Sequence, residues 1–304
     1  MHSTASNEMN YPPEIPVAPG VIDLQQCLAH IHTLPAMPAI AQKMLSLALN
    51  TDEGEAQLLK LIAQDPQISA RIIGLSNSSL FGTPGIITSI NDAAMYLGLT
   101  QVKSVAIGMA TISALTKPPE GKLKSADLWT HSMAIATIMR VIARHMPVRT
   151  RPTDEQIFLA GFLHDIGYSV LNFIAKDICN MLYEKLHTPS DTSLLEIEHA
   201  LLGTHHGEIG AQLAIHWGLP AEIIAVIRYH HIPNSANAEI GQPLVRLVNM
   251  AEKLLPDFAI IENSAQEIIW QDWIDLGIDP GKAESIAEEI SIMAEKAKQL
   301  ASAI

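Results

Sequence analysis

Helix signals follow one another along the whole chain, and no stretch of convincing length alternates apolar and polar residues as a half-buried strand does. Asp65 followed by Pro66 is typical of an N-cap and the first position of a helix. Thr153 and Gln156 have the spacing of a capping box at the head of an apolar helix. The sequence therefore predicts an all-α protein, in which an N-terminal helical lobe packs on a helical bundle.

Three further helix boundaries are predicted from turn-forming and capping residues. Gly98 is expected to separate two helices, with Thr100 capping the second one. Ser125 is expected to cap a long helix that runs to His145. The segment 218–220, Gly-Leu-Pro, is expected to separate two later helices.

The distribution of proline divides the chain into segments. Four prolines with Ser, Asn and Glu before position 21 predict a flexible segment over 1–21. The sequence Lys-Pro-Pro-Glu-Gly at 117–121 is the strongest internal break. We expect a helical lobe over 22–116, a second lobe over 122–256, and a C-terminal helical extension over 257–304.

Composition excludes several classes of protein. Of the 304 residues, 48% are hydrophobic and 17% are charged, as in folded globular proteins. The net charge of −13 argues against binding to a nucleic-acid backbone. No uninterrupted apolar run approaches the roughly 18–20 residues of a membrane span. The only cysteines, Cys27 and Cys179, lie far apart and suit reduced thiols, so we expect a cytoplasmic protein.

The adjacent residues His164 and Asp165 stand at the end of an apolar helical stretch and offer a nitrogen and an oxygen to a metal ion. Asp165 is the candidate catalytic residue, because a carboxylate can bridge two ions while its neighbour binds one. Further candidate ligands lie at helix ends or on apolar faces: His131, His206, His230, His231 and Glu252. Imidazole and carboxylate donors together suit Fe, Mn, Zn or Ni, so we expect one or two divalent transition ions.

Each candidate also has a simpler interpretation. His164 and Asp165 would then be a hydrogen-bonded pair at a helix end, left over from an enzyme that has lost its activity. His131 would be a buried histidine and Glu252 a solvated carboxylate. The later histidines would serve equally well around a second ion or as supports behind the ligands.

At these residues the chain resembles the HD metal-dependent phosphohydrolases and, more closely, the HDOD domains, the HD-related output modules of bacterial signalling proteins. The resemblance covers roughly residues 22–256 and rests on an ordered set of motifs. They are Leu34-Pro35-Ala36-Met37-Pro38, Asp65-Pro66-Gln67-Ile68-Ser69, Ser89-Ile90-Asn91-Asp92-Ala93, the His164-Asp165 pair, His206-Gly207-Glu208-Ile209-Gly210, Trp217-Gly218-Leu219-Pro220 and His230-His231. The resemblance implies an HD-like second lobe and the metal ligands named above.

The chain departs from the active HD-GYP phosphodiesterases, which open cyclic di-GMP, at three places. Tyr168 stands where those enzymes carry a lysine after the His-Asp-Ile-Gly run. No Gly-Tyr-Pro triplet follows His231. The distal acidic ligand, usually Asp, is the longer Glu252. These departures put cyclic di-GMP hydrolysis in doubt, although the ligand set is unusually full for an HDOD domain.

The resemblance therefore implies a bacterial signal-transduction module with a retained HD-type metal site, regulatory rather than strongly catalytic. The alternative is a metal-dependent phosphohydrolase that acts on a nucleotide or another phosphoester. We expect the partner to be a regulatory protein or a nucleotide ligand, with a homodimer as a further possibility, and neither nucleic acid nor a membrane as a partner.

Overall fold

The structure is a computed structural model that describes residues 34–78, 81, 86–189, 192–255 and 267–301, with the backbone alone over 297–301. Within these ranges every regular element is a helix, as the sequence predicts. The predicted flexible segment over 1–21 and Cys27 lie outside the described residues.

Among the residues that the structure describes, five helices lie before the proline-rich break. They are α1 (Ala39–Leu45), α2 (Asp52–Ala63), α3 (Pro66–Ser76), α4 (Ile90–Leu97) and α5 (Leu99–Leu115). The predicted cap at Asp65 is present, since its carboxylate accepts the N–H groups of Gln67 and Ile68. The predicted cap at Thr100 is wrong. The helix already begins at Leu99, because Gly98 takes a φ of 90° and ends α4 directly before it.

The remaining α-helices follow the break. They are α6 (Ser125–His145), α7 (Asp154–Leu163), α8 (Ile166–Ile174), α9 (Lys176–Leu186), α10 (Leu194–Leu202), α11 (His206–His216), α12 (Ala221–Tyr229), α13 (Leu244–Leu254), α14 (Trp270–Asp275) and α15 (Ala283–Ala301). Two short 3₁₀ turns lie over Ala236–Gly241 and Pro280–Lys282. The capping box of Thr153 and Gln156 opens α7 as predicted. Ser125 is the first residue of α6, and the cap position belongs to Lys124.

The long helix α6 is the centre of the packing, with α5, α7, α13 and α15 all in contact with it. Helix α5 contacts α1 as well as α7 and α8, so one buried helix joins the N-terminal elements to the rest. The C-terminal helix α15 buries Ile286 and Ile290 on its inner face. The boundaries of the lobes stay a prediction.

One stretch, Asp154–Ile174, has the length and mean hydropathy of a membrane span, although His164 and Asp165 interrupt its apolar residues. Most of it is buried among the other helices, which accounts for its apolar composition. It also holds His164 and Asp165 at the junction of α7 and α8.

Burial makes Cys179 a poor nucleophile. The side chain is buried in α9, and this burial, together with the nearby Glu198 carboxylate, raises the pKa of the thiol to about 12. At pH 8 only about one molecule in 10⁴ would carry the thiolate, the form that reacts.

We therefore predict that a Cys27→Ser variant does not react with a disulfide reagent such as Ellman's reagent at pH 8 while folded. One thiol per chain should react in guanidinium chloride, where burial is lost. Rapid stoichiometric labelling of the folded variant would contradict the described environment of Cys179.

Candidate metal centre

The central pair of the candidate site lies at the junction between two buried helices. His164 follows the last residue of α7, and Asp165 occupies the cap position of α8. Every residue from Ile157 to Leu163 is buried, so the part of α7 that leads to His164 has no solvent-facing side. The imidazole and the carboxylate are consequently held in the interior.

The other candidate ligands reach the same point from four further helices. His131 lies within α6, His206 is the first residue of α11, His230 and His231 follow α12, and Glu252 lies in the last turn of α13. Together with His164 and Asp165 they form one group, which we call the histidine–carboxylate cluster. The structure thus brings together all seven residues selected from the sequence; their role as ligands stays a prediction.

One half of the cluster surrounds the Oδ2 atom of Asp165. This oxygen lies 3.4 Å from the Nε2 atom of His131 and 3.3 Å from that of His164. The Oε1 atom of Glu252 lies 3.4 Å from the same nitrogen of His164. Two imidazoles and two carboxylates therefore point their donor atoms at one small region.

The other half surrounds the Oδ1 atom of Asp165. The Nε2 atoms of His206 and His230 lie 3.3 Å and 3.6 Å from this oxygen and 3.0 Å from each other. On the same side, His231 turns its Nδ1 atom to the Oε2 atom of Glu252 at 3.5 Å. The two oxygens of Asp165 thus face two different sets of histidines.

These separations fit a metal centre. Nitrogen and oxygen ligands about 2.1 Å from one ion lie roughly 3.0–3.4 Å from each other. Three groups of the described side chains hold their donor atoms within 4.8 Å of one another: His131 with His164 and Asp165, Asp165 with His230 and Glu252, and His206 with His230 and His231. Donors of this kind suit a divalent transition ion.

Backbone hydrogen bonds fix the orientation of two of these rings. The Nδ1–H group of His164 donates to the carbonyl of Gly161 at 2.8 Å. The Nδ1–H group of His230 donates to the carbonyls of Val226 and Ile227 at 3.1 and 3.0 Å. Because a carbonyl only accepts, the proton is on Nδ1 in both rings and Nε2 is left for a metal.

Sequence reasoning missed one residue beside the cluster, Glu198 in α10. Its side chain is fully buried, and both of its carboxylate oxygens lie close to the Nδ1 atom of His206, at 2.8 and 2.9 Å. A sequence signal was available: Glu198 shares a helix face with Leu194, Leu201 and Leu202, whereas the exposed Glu196 has the spacing of a capping box with Ser193.

The carboxylate and the imidazoles of the cluster differ in their state of ionisation. Burial alone would raise the pKa of Asp165, but His164, His206 and His230 hold it well below its usual range, so the carboxylate is ionised. Burial and neighbouring histidines lower the pKa of His230 to about 4 and that of His231 to about 3. Ionised carboxylates and neutral imidazoles are the forms that bind metals.

The pKa of His206 is shifted in the opposite direction from those of His230 and His231. Burial would lower its pKa, but the carboxylates of Glu198 and Asp165 on either side of the ring raise it well above the usual value. In the metal-free protein this ring therefore carries a proton on Nε2 near neutral pH, and a metal ion bound to that atom would displace it.

The close approach of α8 and α11 depends on Gly167. A Cβ atom on this residue would lie 1.9 Å from the carbonyl oxygen of His206, a distance that no packing tolerates. Gly210 on the facing helix is also close, since a Cβ atom on it would lie 2.9 Å from the nitrogen of Gly167. The glycine after the His-Asp pair is thus what allows Asp165 to reach His206.

Tyr168 takes up the space beside His206. Its side chain is buried, and its ring stacks on the imidazole of His206 with centroids 4.2 Å apart and planes inclined by 20°. An aromatic ring therefore lies against His206 at position 168, where the related HD-GYP enzymes carry a lysine.

The comparisons with known proteins agree with this architecture. A family model described as the HDOD domain matches residues 34–233, about two thirds of the chain. The chain belongs to the HDOD domain family. This match confirms the resemblance to the HDOD family that the sequence motifs indicate.

Three solved structures are similar to this HDOD protein. A protein from Marinobacter aquaeolei VT8, provisionally named for signal transduction, is 26% identical with a TM-score of 0.70 over 93% of this chain and 61% of its own. An HDOD domain protein of unknown function from Geobacter sulfurreducens is 24% identical with a TM-score of 0.71, over 91% and 99% of the two chains. A protein from Shewanella amazonensis SB2B, provisionally named a phosphohydrolase, is 24% identical with a TM-score of 0.66, over 93% and 98%.

At these identities the last two structures establish the fold alone. An uncharacterised protein of Treponema pallidum (strain Nichols) is 23% identical over 222 residues, which make up 73% of this chain. The chain spans 42% of the length of that relative and 61% of the length of the Marinobacter protein.

The close contact at Gly167 leads to a first prediction for the centre. Gly167→Ala should destabilise the protein by about 3 kcal/mol, because the new methyl group would force α8 away from α11. It should also weaken metal binding by separating Asp165 from His206. Gly74→Ala is the matched control. That glycine lies in α3 with open space around it, so the change should stabilise by about 0.5–1 kcal/mol. Urea unfolding measures the free energy of unfolding of both variants. Equal changes in the two variants would contradict the steric role proposed for Gly167.

The proton on His206 leads to a second prediction. Its pKa is raised, so below that pKa a metal ion must displace the proton, and affinity should fall by about tenfold for each unit that the pH is lowered. Titration calorimetry with Zn²⁺ in two buffers of different ionisation enthalpy should detect about one proton released at this position. Affinity that does not change with pH, without proton release, would show that His206 is not a ligand.

Proposed function

We propose that this HDOD protein is a bacterial signalling module whose histidine–carboxylate cluster holds a metal in a closed, regulatory site rather than in an efficient catalytic one. The observation that carries the proposal is the burial of the cluster. His131, His164, Asp165, His206 and His230 are at most 3% exposed, and Glu252 is 8% exposed. Structural metal sites are closed, whereas catalytic sites keep a position open for water or substrate.

The residues that would hold the ions follow from the two halves of the cluster. His131, His164, Glu252 and one oxygen of Asp165 would form one position, and the other oxygen of Asp165 with His206, His230 and His231 would form the second. A bound divalent ion would supply a Lewis acid that polarises an oxygen ligand and lowers the pKa of bound water. Asp165 would be shared and would compensate part of the charge of both ions.

Tyr168 supports a regulatory role. A phosphoester at the cluster would meet an apolar ring where a lysine would neutralise its charge. The loss of one group that stabilises the charge of a transition state costs about 10²–10³ in rate. We therefore propose that the cluster recognises a regulatory input, and that the protein passes it to a regulatory protein partner or responds to a nucleotide ligand.

A second function is supported by a different observation. His231 is the one cluster member whose side chain is appreciably exposed, at 16%. The second half of the cluster is therefore the side from which a small phosphoester could approach. A metal-dependent phosphohydrolase acting on a nucleotide is the alternative, and the name of the Shewanella structure is in keeping with it.

The two functions are separated by metal analysis together with a hydrolysis assay. We expect the wild-type protein to bind one or two ions when incubated with Mn²⁺, Fe²⁺, Zn²⁺ or Ni²⁺, and to hydrolyse cyclic di-GMP and simple nucleotides at no more than background rates. Asp165→Asn should abolish binding, because that carboxylate faces both halves of the cluster, and should leave the helical circular dichroism spectrum in place.

Asp177→Asn is the matched control, since this exposed carboxylate in α9 is changed in the same way without touching the cluster. Wild-type protein that stays free of all four metals would refute the metal site. Robust turnover that is lost in Asp165→Asn and kept in Asp177→Asn would establish the phosphohydrolase instead.

A further inference from the structure

Glu198 is a fully buried acid whose hydrogen bonds within the described part of the chain all go to His206, a candidate ligand. It stands in α10, an element from which the cluster takes none of its seven members. Besides the two contacts with the Nδ1 atom of His206, its Oε2 atom accepts the backbone N–H of His206 at 3.1 Å. One carboxylate thus holds both the ring and the main chain of the same residue.

The direction of these contacts determines what His206 presents to the cluster. With Nδ1–H donated to Glu198, the opposite nitrogen Nε2 points to the Oδ1 atom of Asp165 and to His230. A histidine ligand whose other nitrogen is bound by a carboxylate is held in one tautomer and one orientation, and becomes a more basic ligand. His230 receives its orientation from neutral carbonyls, so His206 is the ligand on which an additional negative charge acts most directly.

We infer that Glu198 is a positioning residue that makes the second half of the cluster, around His206, His230 and His231, able to hold its own ion. This inference rests on the proposed metal centre. Glu198 acts through His206 and is not itself a ligand, since both of its oxygens are occupied on the far side of that ring. The first half, around His131 and His164, does not depend on it.

A purely structural role for Glu198 would be to cap the first turn of α11 by accepting the N–H of His206. Glu198→Gln separates the two roles. The glutamine has the same size, and its carbonyl oxygen can still accept the backbone N–H. It loses the negative charge and the second acceptor, which are the features that act on the ring of His206.

The experiment is a titration of the full-length, metal-free protein with Zn²⁺, for wild type, Glu198→Gln and Glu288→Gln. Glu288 is an exposed acid on α15 and controls for the loss of one negative charge. We expect two ions in the wild type and in Glu288→Gln. Glu198→Gln should keep the first ion at unchanged affinity and bind the second about 10–100-fold more weakly. Circular dichroism of the metal-free variant should match that of the wild type.

Equal binding of two ions by Glu198→Gln and wild type would overturn the role of Glu198 and leave the metal centre intact. Wild-type protein that binds a single Zn²⁺ would also overturn the role of Glu198 in a second ion site, and wild-type protein that binds no Zn²⁺ would overturn both the inference and the metal centre. If Glu198→Gln does not fold, the ¹⁵N shifts of the histidines in zinc-loaded wild type decide. A proton on Nδ1 of His206 with zinc on Nε2 supports the inference, and zinc on Nδ1 refutes it.

Discussion

The structure depends on how one carboxylate, that of Asp165, is accommodated inside a helical core. A buried charge is costly unless it is paired, and here four imidazoles approach the two oxygens of a single side chain. Such an arrangement cannot be built from one helix, because successive turns present a residue only every three or four positions. The chain meets this requirement by breaking an apolar helical stretch at His164 and Asp165 and by directing the ends of α11 and α12 to the break.

This requirement explains why so many helix ends meet at one place, the histidine–carboxylate cluster. Only His131 and Glu252 come from within helices, and each of the other candidate ligands lies at a helix boundary. Residues at boundaries have backbone groups without helical partners, so carbonyls such as that of Gly161 are available to orient a ring. The break in the helix therefore provides the ligands together with the hydrogen bonds that orient them. The same packing leaves little open surface at the cluster, which is why we favour regulation over turnover.

Local signals predicted several of the helix boundaries. Asp65 and the pair Thr153 and Gln156 act within one turn of themselves, and such signals can be found in a sequence without knowledge of the fold. Thr100 failed because a threonine also fits inside a first turn, and the φ of Gly98 decided where the helix begins. The seven candidate ligands were found because they follow the order of a known family.

Glu198 could not be found in this way. The helical periodicity of α10 places it on the buried face with Leu194, Leu201 and Leu202, but its function is set by an interaction across the turn between α10 and α11, which the sequence of α10 does not indicate. The stacking of Tyr168 on His206 is likewise a tertiary contact. A lysine missing from a motif can be read from the sequence, but the orientation of the residue that replaces it depends on the packing of α8 against α11.

Two of the ligands also depend on the part of the chain beyond the residues that the family model matches, which end at position 233. Glu252 lies beyond that limit, in α13, and this helix is tied to α14 by the ion pairs of Arg246 with Asp275 at 2.6 Å and of Lys253 with Asp272 at 3.1 Å. His131 lies in α6, which α15 covers with its apolar face. A glutamate is longer than an aspartate by one methylene group and has one more rotatable bond, so its carboxylate is harder to fix at one point. The C-terminal helices restrict α13, the helix that carries the carboxylate of Glu252. The geometry of the centre therefore depends on these helices as well as on the helix break at Asp165.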